Sequence, residues 1–452
     1  NYWQLVNYSS EFPEFRIRRN ATSVAATSSI AMNLNQWHHL AATVDSSGNM
    51  KIYLDGVLTG SATGAPSRTM SQGINYGVYL DGTTYFHDGQ IDQIRYYPSA
   101  LDADAIQNLY NEKPETDTSN FKTALYVGNG STNYISNVGF QPDFVWTKVR
   151  SHSGAHWLAN SIIGGTSVLT SNGANASIPR SGHIQSFEAN GFILGNDGTS
   201  NSDNRTAVAW SWKAGGDAVS GTGSGVTNVS VSANTDAGFS IVKYTGGDSA
   251  SDTVNHGLTD AEMIILKDLD DGSNNWRVWH KDLTANHWLY LNLTNAEADA
   301  ASDGGIRNVD SNSFGFINST SNADSVGIEG VNSVSSDYIA YVWKSISGYS
   351  SFGKYSGNAN ANGPEVTTGF EPSFLLIKNI DNTKNWRIFD NRRGFNLSSG
   401  NVHKHLAPDL STEENSDTVD RVRFTSTGFK LITASASFNE SGTDNFIYMA
   451  FK

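Results

Sequence analysis

The 452-residue chain has no cysteine, which excludes disulfides, thiolate zinc sites and cysteine nucleophiles. It also has little charge: Asp, Glu, Lys and Arg make up 16% of the residues, and the net charge is −14. An acidic chain without a basic cluster is poorly suited to nucleic acid or to an anionic membrane surface. No apolar run reaches the ~18 residues that a membrane helix needs. We therefore expect no nucleic-acid partner and no membrane insertion.

The chain is rich instead in glycine, with 43 residues, and in Asn, Ser and Thr. This composition favours short strands joined by turns over long helices, and the length indicates roughly three domains. The predicted fold class is all-β. The first residue is Asn1 rather than Met, so we expect a processed chain or a piece of a longer one.

One phrase occurs three times along the chain. It is "GFQPDFVWTK" at 139–148, "HGLTDAEMIILK" at 256–267 and "GFEPSFLLIK" at 369–378. Each copy contains a glycine, a short turn and a mostly apolar run that ends in lysine. Such a run predicts a strand that is buried on both faces.

Other features align with these strands. The opening residues align as Phe121, Phe239 and Phe352, and the tryptophans align as Trp157, Trp276 and Trp386. Each copy closes on an alternating strand whose large apolar residues we expect to be core rather than a cofactor or sugar site. These residues are Val208, Trp210, Trp212, Ile339, Tyr341, Trp343, Ile447, Met449 and Phe451. The sequence thus predicts three tandem β-sandwich repeats at 121–216, 239–347 and 352–452, with a linker at 217–238.

Residues 1–113 follow a different pattern. A hairpin is predicted within 36–56, and a strand followed by a short helix is predicted within 89–111. The phrases "WHHLA", "YLDG" and "GQIDQIRYY" resemble those of laminin-G-like, concanavalin A-like jelly rolls. This resemblance implies one jelly-roll sandwich at 1–113, whose first strands we expect to precede Asn1.

The three repeats resemble those of tail fibres and other virion appendages of tailed bacteriophages. The resemblance lies in "VGFQPDFVW", "AVAWSWKAGG" and "VNHGLTDAEMIILK". It implies an extracellular protein on the virion surface, with other virion subunits as partners and a homo-oligomeric state such as a trimer. It implies no particular chemistry.

The sequence lacks catalytic signatures. It has no His-Glu-x-x-His, Gly-x-Ser-x-Gly or Gly-x-x-x-x-Gly-Lys-Ser/Thr motif. Glu11 and Glu14 flank a proline and do not form the alternating carboxylate pair that glycosidases on such scaffolds use. We therefore expect no enzyme and no catalytic residues, although two distant carboxylates that meet in the fold remain an alternative.

One loop in the front segment combines groups that can bind a cation and a sugar. Asp81, Asp88 and Asp92 offer hard oxygens that suit Ca²⁺. Tyr85 and Phe86 offer rings that can stack on a sugar. The resemblance to laminin-G-like domains implies calcium at such a rim. The alternative is a solvated loop in which Asp92 is a structural hydrogen-bonding residue.

Two further motifs favour structural interpretations. His38 and His39 are consecutive in a strand and cannot chelate one metal together, so we expect them to be packing residues. The phrase "KDLDDGSNN" at 267–275 resembles a calcium loop but lacks the spacing and closing glutamate of an EF-hand, which favours an acidic turn.

Three functional hypotheses follow from these observations. The favoured one is a non-enzymatic phage virion appendage, a tail fibre or adhesin, whose lectin-like jelly roll binds glycans on a bacterial host surface. The second is a purely structural fibre or capsid decoration protein that binds other virion subunits. The third is a secreted bacterial adhesin or polysaccharide-binding module.

Overall fold

The computed structural model describes residues 2–7, 12–33, 38–66, 95, 97, 99–110, 120–298, 304–317, 330–416, 418–440 and 444–452. Tertiary contacts divide the chain into two units, Asn1–Pro114 and Glu115–Lys452. Strands dominate both units, so the fold class is all-β, as predicted. Neither of the helices in these ranges is long and apolar enough to span a membrane.

The first unit contains two antiparallel sheets that face each other. Its elements are β1 Tyr2–Asn7, β2 Pro13–Arg19, β3 Thr22–Thr27, β4 Leu40–Val44, β5 Met50–Leu54, β6 Val57–Ala62 and α1 Ala103–Tyr110. The sheet orders are β1-β2-β3 and β4-β5-β6, and the core between them includes Phe15, Met50 and Ile52. The sheets approach closely at Gly60, where a Cβ would lie 2.1 Å from the carbonyl oxygen of Thr27.

The second unit contains three β-sandwiches, which we call repeat 1 (121–212), repeat 2 (219–343) and repeat 3 (350–451). The strands of repeat 1 are β7 Phe121–Val127, β8 Asn133–Ile135, β9 Phe144–Val149, β10 Trp157–Asn160, β11 Gly164–Thr170, β12 Ile178–Pro179, β13 Ile184–Glu188, β14 Gly191–Leu194 and β15 Thr206–Trp212. Those of repeat 2 are β16 Val219–Ser220, β17 Gly223–Ser224, β18 Thr227–Asn234, β19 Phe239–Thr245, β20 Thr253–Asn255, β21 Met263–Asp268, β22 Arg277–His280, β23 Leu289–Tyr290, β24 Gly305–Arg307, β25 Ser313–Ile317 and β26 Asp337–Trp343. The elements of repeat 3 are β27 Ser350–Ser356, β28 Glu365–Thr367, β29 Phe374–Asn379, β30 Arg387–Asp390, β31 Asn401–Val402, β32 Val422–Thr425, β33 Gly428–Leu431, α2 Ala436–Asn439 and β34 Asn445–Phe451.

Each repeat pairs one large sheet with one small sheet. The orders are β12-β11-β10-β9-β15-β7 with β13-β14-β8, then β16-β18-β19-β26-β21-β22-β23 with β17-β20-β25-β24, then β27-β34-β29-β30 with β28-β33-β32-β31. The small sheet covers one face of the large sheet and forms a core that belongs to that repeat alone. The other face of each large sheet is also apolar, so it needs a second partner.

The three large sheets bury these remaining faces against one another in one shared core. The alternation predicted for the closing strands is confirmed, because their large apolar residues all lie in this core: Val208, Trp210, Trp212, Ile339, Tyr341, Trp343, Ile447, Met449 and Phe451. The intervening residues, such as Ala209 and Ala340, face the cores of the individual repeats. The sandwiches are therefore fused rather than strung along the chain.

Aromatic contacts connect the repeats across the shared core. The rings of Phe144 in repeat 1 and Tyr341 in repeat 2 stack with centroids 4.2 Å apart. Phe121 in repeat 1 stacks on Phe451 in repeat 3 at 5.0 Å. Repeats 2 and 3 are joined at their edge, where the indole N–H of Trp386 donates a 2.8 Å hydrogen bond to the carbonyl oxygen of Tyr290. Every repeat thus contacts both others, which closes the three sandwiches into a ring.

The strand registers correct the alignment at the tryptophans. In the strand pairings, Asn160 of repeat 1 is equivalent to the residues that lie four positions after Trp276 and Trp386 in the other two repeats. His156, not Trp157, is therefore the equivalent residue, and the predicted equivalence of Trp157 is wrong. A shift of one residue moves a strand side chain to the opposite face. Trp157 accordingly lies in the core of repeat 1, whereas Trp276 and Trp386 lie in the shared core.

The alignment of the opening strands also needs a correction. Phe121 and Phe239 pair with the last residue of their closing strands, but in repeat 3 that last residue, Phe451, pairs with Ser350. Phe352 therefore lies two residues further along than predicted. Because the shift is two residues, Phe352 keeps its place on the shared-core face.

The predicted linker at 217–238 is wrong, since this segment belongs to repeat 2. β18 pairs with β19, and β16 pairs with β18. Val231 is 7% exposed and lies in the core of repeat 2. The period-two alternation of Val229, Val231 and Ala233 with polar residues indicates a strand, but the many small polar residues obscure it.

A Tyr-x-Gly phrase lies at the end of the opening strand of each repeat. The hydroxyl groups of the tyrosines donate to backbone carbonyl oxygens of the same repeat: Tyr126 to Ser200, Tyr244 to Val331 and Tyr355 to Phe438. A Cβ on the glycines would lie 2.1 to 2.3 Å from another carbonyl oxygen; these are Gly128, Gly246 and Gly357. The loop after the opening strand can pack this closely only because the residue has no side chain.

The lysine that ends each repeated phrase is fully buried. Lys148, Lys267 and Lys378 are 0% exposed, and each Nζ donates a 2.7 Å hydrogen bond to the carbonyl oxygen of the next residue. Lys378 also donates to the carbonyl oxygen of Thr294 in repeat 2, at 3.2 Å. Burial lowers the pKa of these ammonium groups to about 8, 8 and 7, in chain order.

We predict that the second unit becomes more stable as the pH rises from about 8 toward 9. The folded-state pKa of each buried lysine lies below its unfolded value of 10.5, so the unfolded chain binds more protons in this range. Urea denaturation across the range measures the free energy of unfolding. Lys148→Met should flatten the rise, whereas Lys213→Met, at an exposed position, should not. A stability that falls over this range in the unmodified protein contradicts the prediction.

We also predict that Trp212→Ala or Trp343→Ala destabilises the whole second unit by about 3–5 kcal/mol, the usual cost of deleting a buried large aromatic side chain. Both rings are no more than 1% exposed in the core that the repeats share. Denaturation followed by fluorescence and circular dichroism should show one coincident transition. Tyr134→Ala, at a side chain that is 69% exposed, is the control. Separate transitions for the three repeats would contradict a shared core.

Candidate functional site

The predicted calcium and sugar loop lies outside the described residues. This applies to Asp81, Tyr85, Phe86, Asp88 and Asp92, so their roles remain predictions. Within the ranges that the structure describes, no group of three or more His, Asp or Glu side chains is arranged to hold a metal ion. The candidate site is therefore built from the strands of the first unit.

The two consecutive histidines are held by one carboxylate. His38 Nδ1 lies 2.8 Å from Asp55 Oδ2, and the backbone N–H of His39 donates to Asp55 Oδ1 at 2.9 Å. Asp55 and Gly56 have positive φ angles of 53° and 79°, which form the turn of the "YLDG" phrase. The ring of His39 packs on Tyr110 of α1, with centroids 6.0 Å apart. These contacts are those of packing residues.

The face of the β1-β2-β3 sheet that points away from the core is polar, and we call it the outer face. Its residues form three rows across the strands: Val6, Glu14 and Thr27; Gln4, Arg16 and Ala25; Tyr2, Arg18 and Ser23. Glu14 is 8% exposed, whereas Arg18 and Ser23 are exposed. In "EFRIRR" the apolar residues alternate with the charged ones, and this signal could have revealed the outer face from sequence.

A bidentate ion pair lies at the centre of the outer face. Arg16 Nε donates to Glu14 Oε1 at 2.6 Å, and Arg16 Nη2 donates to Glu14 Oε2 at 3.0 Å. Gln4 is opposite Arg16 in the register, and its Oε1 is buried with no hydrogen-bond partner among the described residues. Guanidinium, carboxylate and amide groups are planar and offer paired donors or acceptors, which suit neighbouring sugar hydroxyls.

One carboxylate lies on the described part of the outer face. Among its described residues, Glu14 is the one carboxylate, and both of its oxygens accept hydrogen bonds from Arg16. Glycosidases normally need two carboxyl groups on opposite sides of the scissile bond. The planar polar groups of the outer face suit the binding of a polar ligand.

The calcium-like phrase in repeat 2 forms a turn held by its own first aspartate. Asp268 is 0% exposed, and its Oδ1 accepts the backbone N–H groups of Asp270 and Asp271 at 2.9 and 3.0 Å. Its Oδ2 accepts Nδ2 of Asn274 at 2.8 Å. In repeat 3 the neutral side chain of Asn379 makes the same two backbone contacts. The role therefore needs no negative charge, which supports the acidic-turn interpretation.

Comparisons with family models divide the chain in the same place as its tertiary contacts do. Residues 116–452 match the model of a family described as "Domain of unknown function (DUF7483)". Residues 1–107 match a model described as "Concanavalin A-like lectin/glucanases superfamily". A search of curated proteins gave no significant match.

One solved structure shows a limited similarity. It is the crystal structure of an S-layer domain-containing protein (residues 221–444) from Clostridium thermocellum, with 20% sequence identity and a TM-score of 0.15. The similarity covers 22% of this chain and 52% of that chain, so this chain spans about half of the solved one. A TM-score this low supports no conclusion about function.

Calcium binding by the loop at 81–92 is tested by thermal melting of the full chain with calcium and then with a chelator. A bound ion should raise the unfolding free energy of the first unit by mass action, by about 2.7 kcal/mol at a hundredfold excess over the dissociation constant, and its unfolding midpoint should rise as a result. The rise should vanish in the Asp81→Ala, Asp88→Ala double variant and persist in Asp203→Ala, which lies in the second unit. Identical midpoints with calcium and with chelator in the unmodified protein would contradict calcium binding by this loop.

Proposed function

The chain belongs to the family described as a domain of unknown function (DUF7483), whose model matches residues 116–452, and it carries a concanavalin A-like domain before that region; we propose that it is a non-enzymatic, glycan-binding appendage protein of a bacteriophage virion. The observation that carries the glycan part is the outer face of the β1-β2-β3 sheet, with its planar polar groups and one tyrosine. The phage part is supported by the resemblance of the repeated phrases to those of tail fibres.

In this proposal the outer face binds a sugar through its least buried row. Tyr2 and Arg18 are directly opposite each other in the register, next to the Arg16–Glu14 pair. A tyrosine ring has an apolar surface for the C–H face of a sugar and a hydroxyl group at its edge. Arg18 supplies N–H donors for hydroxyl groups, and Gln4, whose Oε1 is buried, supplies the N–H groups of its amide. Because the ion pair holds Arg16 in place, part of the site is ordered before the ligand arrives.

The second unit supplies a rigid body for this binding domain. Its repeats share one core, so they cannot move independently without exposing aromatic side chains such as Phe144 and Trp212. We place the protein outside the cell, on the virion surface, with host glycans and other virion subunits as its partners. A purely structural decoration protein and a secreted bacterial polysaccharide-binding module are the alternatives.

A glycan array probed with the full chain tests the binding proposal. We expect Arg18→Ala and Gln4→Ala to weaken binding to the glycan that the unmodified chain binds on the array. The loss of one or two polar contacts should weaken it by about 10- to 100-fold. Arg205→Ala is the matched control, because it removes an exposed arginine from the second unit. Binding that is unaffected by both outer-face variants contradicts the site. If no glycan is retained, the structural alternative is favoured.

Labelling of purified phage particles with an antibody against the second unit tests the virion location separately. A label at the tail or capsid supports the phage assignment. If binding to glycans is found but no particle is labelled, the secreted bacterial module is the better explanation.

A further inference from the structure

The three repeats differ at one equivalent pair of positions in their large sheets. The first position lies directly before β9, β21 or β29, and the second lies directly after β10, β22 or β30. In every repeat the second residue donates its backbone N–H to the carbonyl oxygen of the first. The pairs are Asp143 and Ser161, Glu262 and Lys281, and Ser373 and Asn391, with N···O distances of 2.8, 2.9 and 2.9 Å. The shared backbone contact makes the side chains directly comparable.

Repeat 1 has a carboxylate without a cation at this pair of positions. In repeat 2, Lys281 Nζ lies 3.0 Å from Glu262 Oε2, so the two charges neutralise each other. In repeat 3 both side chains are neutral. In repeat 1, Ser161 occupies the position of the lysine. Asp143 therefore lacks the cation that Glu262 has.

The carboxylate of Asp143 is buried and only half satisfied. Asp143 is 2% exposed, and its Oδ2 accepts the backbone N–H groups of Ala214 and Gly216 at 2.8 and 3.3 Å. Its Oδ1 is buried and has no hydrogen-bond partner of good geometry among the described residues, and the same holds for the nearby Oγ of Ser161. Burial raises the pKa of Asp143, and Ser161 and the two backbone N–H groups oppose this shift. A buried charge without a counter-charge is unfavourable, so a cation beside Oδ1 is stabilising.

Asp143 lines an open cavity of about 510 Å³ where the chain passes from repeat 1 to repeat 2. Small-molecule sites have volumes of roughly 300–1,000 Å³. Gln141 and Thr235 line the same cavity, and both are exposed, with side chains that form no hydrogen bond to the described residues. An amide and a hydroxyl group in this state can bind the hydroxyl groups of a ligand.

The rest of the lining indicates a ligand that is polar throughout. Its apolar side chains are the methyl groups of Ala214 and Ala233, and the backbone of Gly215 and Gly216 contributes further polar groups. This wall offers little apolar surface to the alkyl stem of a lysine. An amino sugar combines hydroxyl groups with one ammonium group on a small ring, so its chemistry matches Asp143 and the neighbouring polar groups.

Lys213 also lines the cavity but does not neutralise Asp143. Its side chain is exposed and forms no ion pair with Asp143 in the part of the chain that the structure describes. An ammonium group on a flexible stem can turn toward water when another cation binds. Lys213 is therefore a competitor of a cationic ligand, not a substitute for it.

We propose that this cavity binds an amino sugar, whose ammonium group pairs with Asp143 while Gln141 and Thr235 bind its hydroxyl groups. The ammonium group takes the place that Lys281 occupies beside Glu262 in repeat 2. The site belongs to the second unit, so it does not depend on the outer face of the first unit or on the glycan binding proposed for that face.

Isothermal titration calorimetry of the full chain with three sugars tests the proposal. Glucosamine carries the ammonium group, glucose has a hydroxyl group in its place, and N-acetylglucosamine has a neutral amide there. We expect glucosamine to bind at least about tenfold more tightly than the other two, the usual effect of one charged hydrogen bond. Equal affinities for the three sugars, or no binding of glucosamine, would overturn the proposal.

Two variants remove the binding partner of the ammonium group in different ways. Asp143→Asn keeps an oxygen for the two backbone N–H groups but loses the charge. Ser161→Lys copies Lys281, so it supplies an internal ammonium group and keeps the carboxylate. Each should weaken glucosamine binding at least about tenfold, whereas Asp203→Asn, at an exposed carboxylate of repeat 1, should not. Undiminished binding in either of the first two variants would overturn the proposal, so the test remains valid if one of them folds poorly.

Two further measurements separate an amino sugar from other ligands. Lys213→Met removes a competing cation, so it should bind glucosamine at least as tightly as the unmodified chain. A loss of binding in this variant would indicate an anion site and contradict the proposal. N-acetyl-lysine methylamide carries a lysine ammonium group without a sugar ring and should bind at least about tenfold more weakly than glucosamine. Equal binding of this probe would assign the cavity to a protein side chain and contradict the proposal.

Discussion

Each large sheet of the second unit has two apolar faces, and its small partner sheet can cover only one of them. The rest of the structure depends on how the second face is buried. The three sheets cover one another, so that residues such as Phe144, Trp343 and Phe451 meet in one core. A single repeat exposes this face, and two repeats leave part of it uncovered. The third repeat completes the ring, which explains why one family model spans all of 116–452.

The same constraint accounts for the polar groups buried at the edges of the shared core. Lys148, Lys267 and Lys378 each lie one residue before the end of a strand, where the buried ammonium group donates to backbone carbonyl oxygens. At two of the three junctions between neighbouring repeats, an indole N–H group donates to a backbone carbonyl oxygen of the next repeat. At the junction of repeats 3 and 1, His156 and the Arg393 ion pairs lie in its place. The ring is therefore pseudo-symmetric in its apolar residues, whereas the polar residues differ between its three junctions.

Much of this fold could be predicted from the sequence, because the repeated phrases encode strands by their period of two. The closing strands with Trp210, Tyr341 and Met449 were recognisable in this way. The fusion of the repeats could not be predicted. An alternating apolar strand has the same sequence pattern whether its second face packs within its own sandwich or against a neighbouring one. The equivalence of His156, rather than Trp157, to the other tryptophans was missed because tryptophan was aligned with tryptophan. The strand register that gives His156 is known only from the strand pairing.

The candidate site was predictable to a smaller extent. The family of the front domain followed from short phrases around Tyr53 and Asp55, but the outer face depends on which strand lies beside β2. No sequence pattern predicts that Gln4 lies opposite Arg16, because the proximity of these two residues depends on the register of a hairpin. The loop containing Asp81 and Tyr85 was chosen from composition alone, and its residues lie outside those that the structure describes.

The central claim, that the three repeats depend on one shared core, is tested most directly by expressing repeat 1 alone, as residues 115–216. In this fragment the shared-core face, with Phe144, Trp210 and Trp212, has no partner. The account predicts that the monomeric fragment shows no cooperative unfolding transition and no native-like near-ultraviolet circular dichroism. A monomeric fragment that unfolds cooperatively, with the tryptophan signals of the intact protein, would show that each repeat is an independent domain and would contradict the account.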